Sequence, residues 1–356
     1  MKVHNFNAGP GILPPEVLQQ ASEAVLNFNN TGLSILEIGH RTPLFEGVLN
    51  EAVSLVKELM QLDADREVLF LHGGATTQFM QVPMNLLNED ATAAYIDNGT
   101  WGTKALKEAK LFGNVEVVSS TKDKNHTYIQ KDFDIPANAA YLHYTTNNTV
   151  EGTQWHTIPQ SSVPLIADMS SDILSRSIDF NKFDFIYAGA QKNIGAAGVN
   201  LVVVNKNILG KVKRPIPSIM DYRVHIANGS MLNTPPVFSI FVSMLTLRWL
   251  KSIGGIDAIE KLNNQKAELF YSTLDSLPLF KGPVAKEDRS KMNAVFVMED
   301  PVLEKEFLET CKNEHLYGVK GHRSVGGFRV SLYNALPLSS VEVLADVMKT
   351  FSARYA

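Results

Sequence analysis

The chain has 356 residues, which at about 150 residues per domain suggests two domains. Its composition is 45% apolar and 20% charged with a net charge of −4, which excludes a disordered or collagenous chain and argues against nucleic acid as the main partner, since phosphate backbones need a basic surface. The single cysteine, Cys311, excludes an internal disulfide and fits a reducing compartment.

The N-terminus, MKVHNFNAGPGILPPEVL, has no uninterrupted apolar run after Lys2, which argues against a signal peptide. Short apolar runs then alternate with longer amphipathic segments. Glu67 to Leu71 reads as a strand, followed by HGGATTQ and a helical FMQVPMNLL. Ala91 to Ile96 is a second strand, closed by Asp97-Asn98-Gly99, and Trp101 to Leu111 a helix. Val115 to Val118, Ala139 to Tyr144, Pro164 to Ala167, Phe183 to Ala188 and Val199 to Val204 are five more strands. This alternation predicts a mainly parallel sheet with helices on both faces, an α/β fold. Between Arg223 and Arg248 there is no charged residue, but only Val237 to Leu247 is densely apolar. That run is far short of the ~20 residues that span a bilayer and reads as a buried helix. We therefore expect a soluble, cytoplasmic protein with no membrane partner.

The pattern changes after Gly254-Gly255. A polar-faced helix (Ile256 to Leu274), a strand (Ala294 to Met298), a helix (Leu303 to His315), a strand (Phe328 to Leu332) and a last helix (Val341 to Ala353) predict a smaller α+β domain. The expected organisation is an N-terminal arm (1–14), a large domain (15–255) and a small C-terminal domain (256–356).

In open parallel sheets, ligands bind beyond the carboxyl ends of the strands. Three segments there carry chemistry. Gly73-Gly74-Ala75-Thr76-Thr77 follows a strand and opens a helix, which suits a phosphate or serves only as a turn. Asp168, at a strand end in ADMSSD, could bind a metal, cap a helix or hold a protonated ring nitrogen. Lys192, in YAGAQKNIGAAG, is a solvent-facing loop lysine or a desolvated amine able to form a Schiff base, with the small residues around it leaving room for a bulky group. Phosphate cradle, acidic strand end and pocket lysine are together the parts that pyridoxal phosphate needs. Trp101 is either a stacking platform for it or a core tryptophan. The His-Arg dipeptide occurs twice, at His40-Arg41 and His322-Arg323, and suits an anionic substrate unless the repeat is chance. With no CxxC and no HExxH, no metal site is expected.

Taken together, FNAGPGILPPEVL, EIGHR, HGGATTQF, DNGTWG, TTNNTVEGTQW, ADMSSDILSR, YAGAQKNIGAAG, NTPPVFSIF and GHRSVGGFRVSLYNALP resemble the phosphoserine aminotransferase family over nearly the whole chain. These are class V pyridoxal-phosphate enzymes of the aspartate-aminotransferase-like fold type I. The resemblance implies Lys192 as the Schiff-base lysine, with Gln191 beside it. It implies Asp168 at the pyridine nitrogen, Trp101 stacked on the ring and Thr149 on the phenolic oxygen. Ala75 and Thr76 would serve the cofactor phosphate, and Asn233 and Thr234 the phosphate of a neighbouring subunit's cofactor, hence a homodimer. Arg329 would take the substrate α-carboxylate, and His40, Arg41, His322 and Arg323 the distal anion. Some relatives carry an arginine where this chain has Thr76, so here the distal site must rely on the other four residues.

The implied reaction is ping-pong transfer of an amino group from glutamate to 3-phosphohydroxypyruvate, in serine biosynthesis. A second implied ketoacid, 3-hydroxy-2-oxo-4-phosphooxybutanoate, lies on the route to pyridoxine. Two rivals are a cysteine desulfurase, which needs Cys311 as nucleophile although its helical setting in EKEFLETCKNEHL favours a buried or inert thiol, and a non-catalytic anion-binding protein on a degenerate fold.

Overall fold

The computed structural model describes residues 3–355. Its strands are β1 (His4–Asn5), β2 (Arg66–His72), β3 (Thr92–Asp97), β4 (Asn114–Ser120), β5 (Leu142–Thr145), β6 (Leu165–Asp168), β7 (Phe185–Gly189), β8 (Val199–Asn205), β9 (Asn293–Phe296), β10 (Leu316–Tyr317) and β11 (Phe328–Ser331). Its α-helices are α1 (Pro15–Leu26), α2 (Pro43–Met60), α3 (Ala75–Leu86), α4 (Thr100–Ala109), α5 (Ala190–Asn193), α6 (Tyr222–Ala227), α7 (Val237–Ser252), α8 (Gly255–Ser276), α9 (Pro301–Asn313) and α10 (Leu338–Ser352).

Seven strands form the central sheet in the order β2-β8-β7-β6-β5-β3-β4. The run from β7 to β4 is parallel, and β8 is antiparallel to both β7 and β2. The mainly parallel sheet expected from the alternation is present. Its inner strands β5, β6 and β7 are buried at every position, as required when helices cover both faces. One face packs on α2 and α7 through Phe45, Leu49, Ile240 and Leu247, and the other on α3 and α4 through Phe79, Val82 and Ala105. Val237 to Leu247 is the buried helix that its apolar run predicts, with Ile240 to Leu247 all buried. No single described helix is long and apolar enough to cross a membrane.

A second apolar cluster is built from the C-terminal segments. The antiparallel pair β9–β11 carries Phe296 and Phe328, stacked 4.9 Å apart, against Phe307 of α9, Phe270 of α8 and Phe351 of α10. Phe6 of the N-terminal arm also belongs to this cluster, held where Ser331 N–H donates to its carbonyl at 3.1 Å. The long helix α8 joins the two cores: Ile256 and Ile259 sit in the sheet's cluster, Phe270 and Leu274 in the second.

The expected strands recur with shifted ends. Ala139, Ala140 and Tyr141 precede β5; Ala139 N–H closes a turn on Pro136, while Ala140 and Tyr141 bond to Thr92 and Ala94 of β3. The helix expected from Phe79 begins four residues earlier, at Ala75, since Gly74 supplies its start. Helices α1 and α2 were not among the expected elements, although each opens with proline at its first position.

The parallel arrangement puts the carboxyl ends of β3, β5, β6 and β7 on one edge, and two antiparallel steps bring β2 back to the same direction. Every segment singled out at a strand end therefore opens on that edge.

Candidate active site

Asp168 is the last residue of β6, between β5 and β7. It is buried, and its Oδ1 accepts Ser170 N–H at 2.9 Å. Burial pushes its carboxyl up, opposed by the charge of Lys192 and the bonds from Ser170. Ser170 Oγ in turn accepts Gly189 N–H at 3.1 Å, tying the end of β7 to the loop after β6. The single turn α5 starts immediately after Gly189 and carries Lys192. Gly195 follows, packed so closely on α7 that a Cβ would lie 2.3 Å from Ser243 Oγ. That contact explains part of the small-residue run around the lysine.

Burial lowers the Lys192 amine to about 8, helped by the Arg329 cation and resisted by Asp168 and Asp172. Lys192 Nζ donates to Thr149 Oγ1 at 3.4 Å. Trp101 Nε1 donates to the same hydroxyl at 2.8 Å, and Lys192 Nζ stands 5.3 Å from the indole centroid. Arg329 Nη1 donates to the Thr149 carbonyl at 2.8 Å, while its Nε is buried with no partner. Thr149 is thus the point where lysine, indole and guanidinium meet.

The indole is placed by a carboxylate not singled out in the sequence. Glu151 Oε1 accepts Thr100 N–H at 2.9 Å and Thr100 Oγ1–H at 2.6 Å, which caps α4 one residue before Trp101. The residue lies within TTNNTVEGTQW, two positions after Thr149, but the helix start it serves is 51 residues away, so nothing local in the sequence signals the contact.

At the end of β2, Gly73 takes φ +88°, which a side chain would resist, and Gly74 leads into α3 with no side-chain cap. The first N–H groups of this helix, from Ala75 and Thr76, have no partner within the helix and suit an anion. Thr76 itself is exposed.

His322 and Arg323 lie in the loop before β11. His322 Nδ1 shares a hydrogen bond with Ser324 Oγ at 2.6 Å, and burial together with Arg329 and Arg323 keeps its ring below its usual range. Cations gather there. Among the described residues, His40, Arg41, Asn233 and Thr234 form no hydrogen bond or ring contact with this group; Arg41 and Thr234 are exposed.

Pyridoxal phosphate would meet polar atoms that the chain itself leaves unpaired. Thr145 Oγ1, on the residue paired with Asp168, and Arg329 Nε are buried without partners. An amine depressed by burial, a buried carboxylate, an indole and an open helix start converge on one sheet edge. The residues fit the group.

Cys311 lies in α9 within the second cluster, 1% exposed, its thiol pushed up to about 12 by burial. It is inert as a nucleophile.

The family model Aminotransferase class-V matches residues 3–344. A phosphoserine aminotransferase of Flavobacterium johnsoniae is 55% identical over 99% of this chain and 100% of its own length. A solved phosphoserine aminotransferase structure, described for radiation damage of its Schiff base, superposes with a TM-score of 0.97 at 44% identity, covering 99% of this chain and 100% of the other. The phosphoserine aminotransferase of Bacillus circulans subsp. alkalophilus gives 0.97 at 42% identity, over 100% of this chain and 99% of the other. By sequence and by fold, the chain belongs to the class-V aminotransferase family, among the phosphoserine aminotransferases.

Proposed function

We infer that this chain is a pyridoxal-phosphate-dependent phosphoserine transaminase. It moves the amino group between glutamate and 3-phosphohydroxypyruvate, giving phosphoserine and 2-oxoglutarate. The observation that carries the reading is the Lys192 amine, lowered to about 8 and held at Thr149 between Trp101 and Arg329 beside buried Asp168.

Bound pyridoxal phosphate supplies an aldehyde that condenses with amines and a ring that takes up electrons from the substrate α-carbon. The chain supplies the rest. Lys192 Nζ, in its neutral form, would take the proton from the substrate α-carbon and deliver it across the amino nitrogen to the carbon that was the cofactor's aldehyde. Asp168 presents a carboxylate to the ring nitrogen. With the cofactor bound, Trp101 would cover one ring face, and Thr149 Oγ1 would meet the phenolic oxygen. Ala75, Thr76 and Gln191 serve the phosphate at the start of α3. Arg329, already anchored on the Thr149 carbonyl, offers a planar fork to the α-carboxylate.

The second anionic subsite is assigned to His322 and Arg323, joined by His40 and Arg41. Glutamate's side-chain carboxylate and the ketoacid's phosphate share it. Asn233 and Thr234 lie on the partly exposed stretch between α6 and α7 and reach the phosphate of a second copy's cofactor. The working unit is therefore a homodimer, acting in the cytoplasm on small molecules without nucleic acid or membrane. The domain division falls near 255, where α8 begins, with the first turns of α8 still packed in the sheet's core. The wider ketoacid, 3-hydroxy-2-oxo-4-phosphooxybutanoate, is a second substrate with the same two charged ends.

The test is spectroscopic. The purified chain loaded with pyridoxal phosphate shows a visible absorption band that glutamate bleaches and 3-phosphohydroxypyruvate restores. A band that survives Lys192→Ala, or one that glutamate leaves unchanged, overturns the assignment.

A further inference from the structure

The structure holds a buried lysine that the reaction does not use. Lys266, on α8, is 0% exposed, and burial alone lowers its amine to about 7. Its Nζ donates to two consecutive backbone carbonyls, Leu332 at 2.9 Å and Tyr333 at 2.7 Å. Asn263 lies one turn earlier on the same helix face. Its Nδ2 donates to Asn334 Oδ1 at 2.8 Å and to the Ser175 carbonyl at 2.9 Å. Two side chains of α8 therefore hold three successive residues, 332 to 334, immediately beyond β11.

Those three residues reach both halves of the site. Asn334 N–H donates to Asn193 Oδ1 at 2.9 Å, and Asn193 is the neighbour of Lys192. Asn193 Nδ2 and Asn334 Nδ2 donate to the adjacent carbonyls of Ile173 and Leu174, in the loop after Asp168. Tyr333 Oη donates to the Ala8 carbonyl at 2.6 Å, and the same arm returns at Gly11, whose N–H donates to the Gln191 carbonyl at 2.7 Å. In the other direction, residue 332 is three positions from Arg329. A buried amine paired to no carboxylate is a costly way to fill a core, since an apolar side chain of the same length would avoid the desolvation.

We propose that Lys266 is a positioning residue that sets Arg329 against Lys192. By pinning the 332 and 333 carbonyls it fixes the exit of β11, and so where the guanidinium meets the substrate carboxylate. This rests on the transaminase reading and the role given there to Arg329.

The experiment is a double-mutant cycle in the cofactor-loaded protein. Single-turnover bleaching and recovery of the visible band are followed in wild type, Lys266→Met, Arg329→Lys and the double variant. Lys266→Met removes the donors at nearly constant volume. It weakens the apparent Kd for glutamate and for 3-phosphohydroxypyruvate by the same factor, about tenfold, with the limiting rate within about threefold, as expected for carbonyls left without a buried donor. In the Arg329→Lys background the same change costs less than about twofold, because its effect passes through the guanidinium. Lys266→Gln, which can still donate to one carbonyl, recovers part of the loss, and it carries the cycle if Lys266→Met does not fold. Equal losses in both backgrounds, or a loss of limiting rate with Kd unchanged, overturn the proposal and leave Lys266 a packing residue. A wild-type chain with no glutamate reaction overturns the functional reading, and this proposal with it.

Discussion

The lowered Lys192 amine can be tested by pushing it in both directions. At pH 7 an ordinary lysine near 10.5 is roughly 0.03% neutral, whereas one near 8 is roughly 10% neutral, about 300-fold more nucleophile. Burial is the main cause of the lowering, and three neighbours tune it: the Asp168 carboxylate raises the amine, the Arg329 cation lowers it further, and Asp172 raises it by less than either. Arg329→Met removes a positive neighbour, so the titration midpoint rises and fewer chains carry the free amine at pH 7. Asp168→Asn removes a negative neighbour, so the midpoint falls. The assay is the rate at which cofactor-free protein captures pyridoxal phosphate, followed by absorbance from pH 6 to 10. The same reagent meets all three chains, so its own titration cancels. In wild type the rate climbs about tenfold per pH unit below pH 8 and levels above it. Arg329→Met moves the break upward and Asp168→Asn downward. A wild-type break near pH 10, or two variants moving the same way, would refute the electrostatic account of this site.

Asp168→Asn keeps the fold and much of the cofactor binding but lowers turnover by ~10²–10⁴-fold, since an amide cannot stabilise a charged ring nitrogen; steady-state turnover within a few-fold of wild type would reduce Asp168 to a loop cap. Arg41→Ala and Arg323→Ala weaken both half-reactions, and the phosphorylated ketoacid more than glutamate, by roughly 1.5–3 kcal/mol for each lost charged hydrogen bond, whereas Arg329→Ala weakens both alike; equal losses in the Arg41 and Arg323 variants remove the argument for a phosphate-biased subsite. Mixing Lys192→Ala chains with chains carrying Asn233→Ala and Thr234→Ala regains activity, because a mixed dimer concentrates both defects in one site and leaves the other whole; recombined dimers with no activity show that the two residues serve their own chain.

Much of the site was readable along the chain because a parallel sheet places chemistry at strand ends. EVLFL, PLIA and FDFIYA are apolar runs that only a doubly covered strand explains, so HGGATTQ, ADMSSD and GAQKN had to follow at one edge. Local chemistry was enough for Asp168 and Lys192 to be singled out there. Several elements escaped, for different reasons. The apolar spacing of α2, with Phe45, Val48, Leu49, Ala52, Leu55 and Val56 buried, is a helical signal that was open to reading. The two-residue strands β1 and β10 carry no such signal, because their pairing joins positions more than 300 residues apart.

The sequence alone determined the layered α/β plan, the strand-end loops and, through the matching motifs, the family. Tertiary structure decided what state each group is in. Lys192 is a lowered amine because the fold buries it and brings Arg329 near, against the opposing pull of Asp168 and Asp172, and that burial depends on distant segments rather than on AQKN itself. Cys311, a possible nucleophile in the sequence, is a core thiol once α9 packs on Phe280 and Phe328. Lys266 lies within the helix that the sequence shows as polar-faced, yet it ends in two carbonyls 66 and 67 residues away. Local periodicity reports which side of a helix is apolar; it carries no record of which backbone from elsewhere in the chain will meet a polar atom on that side.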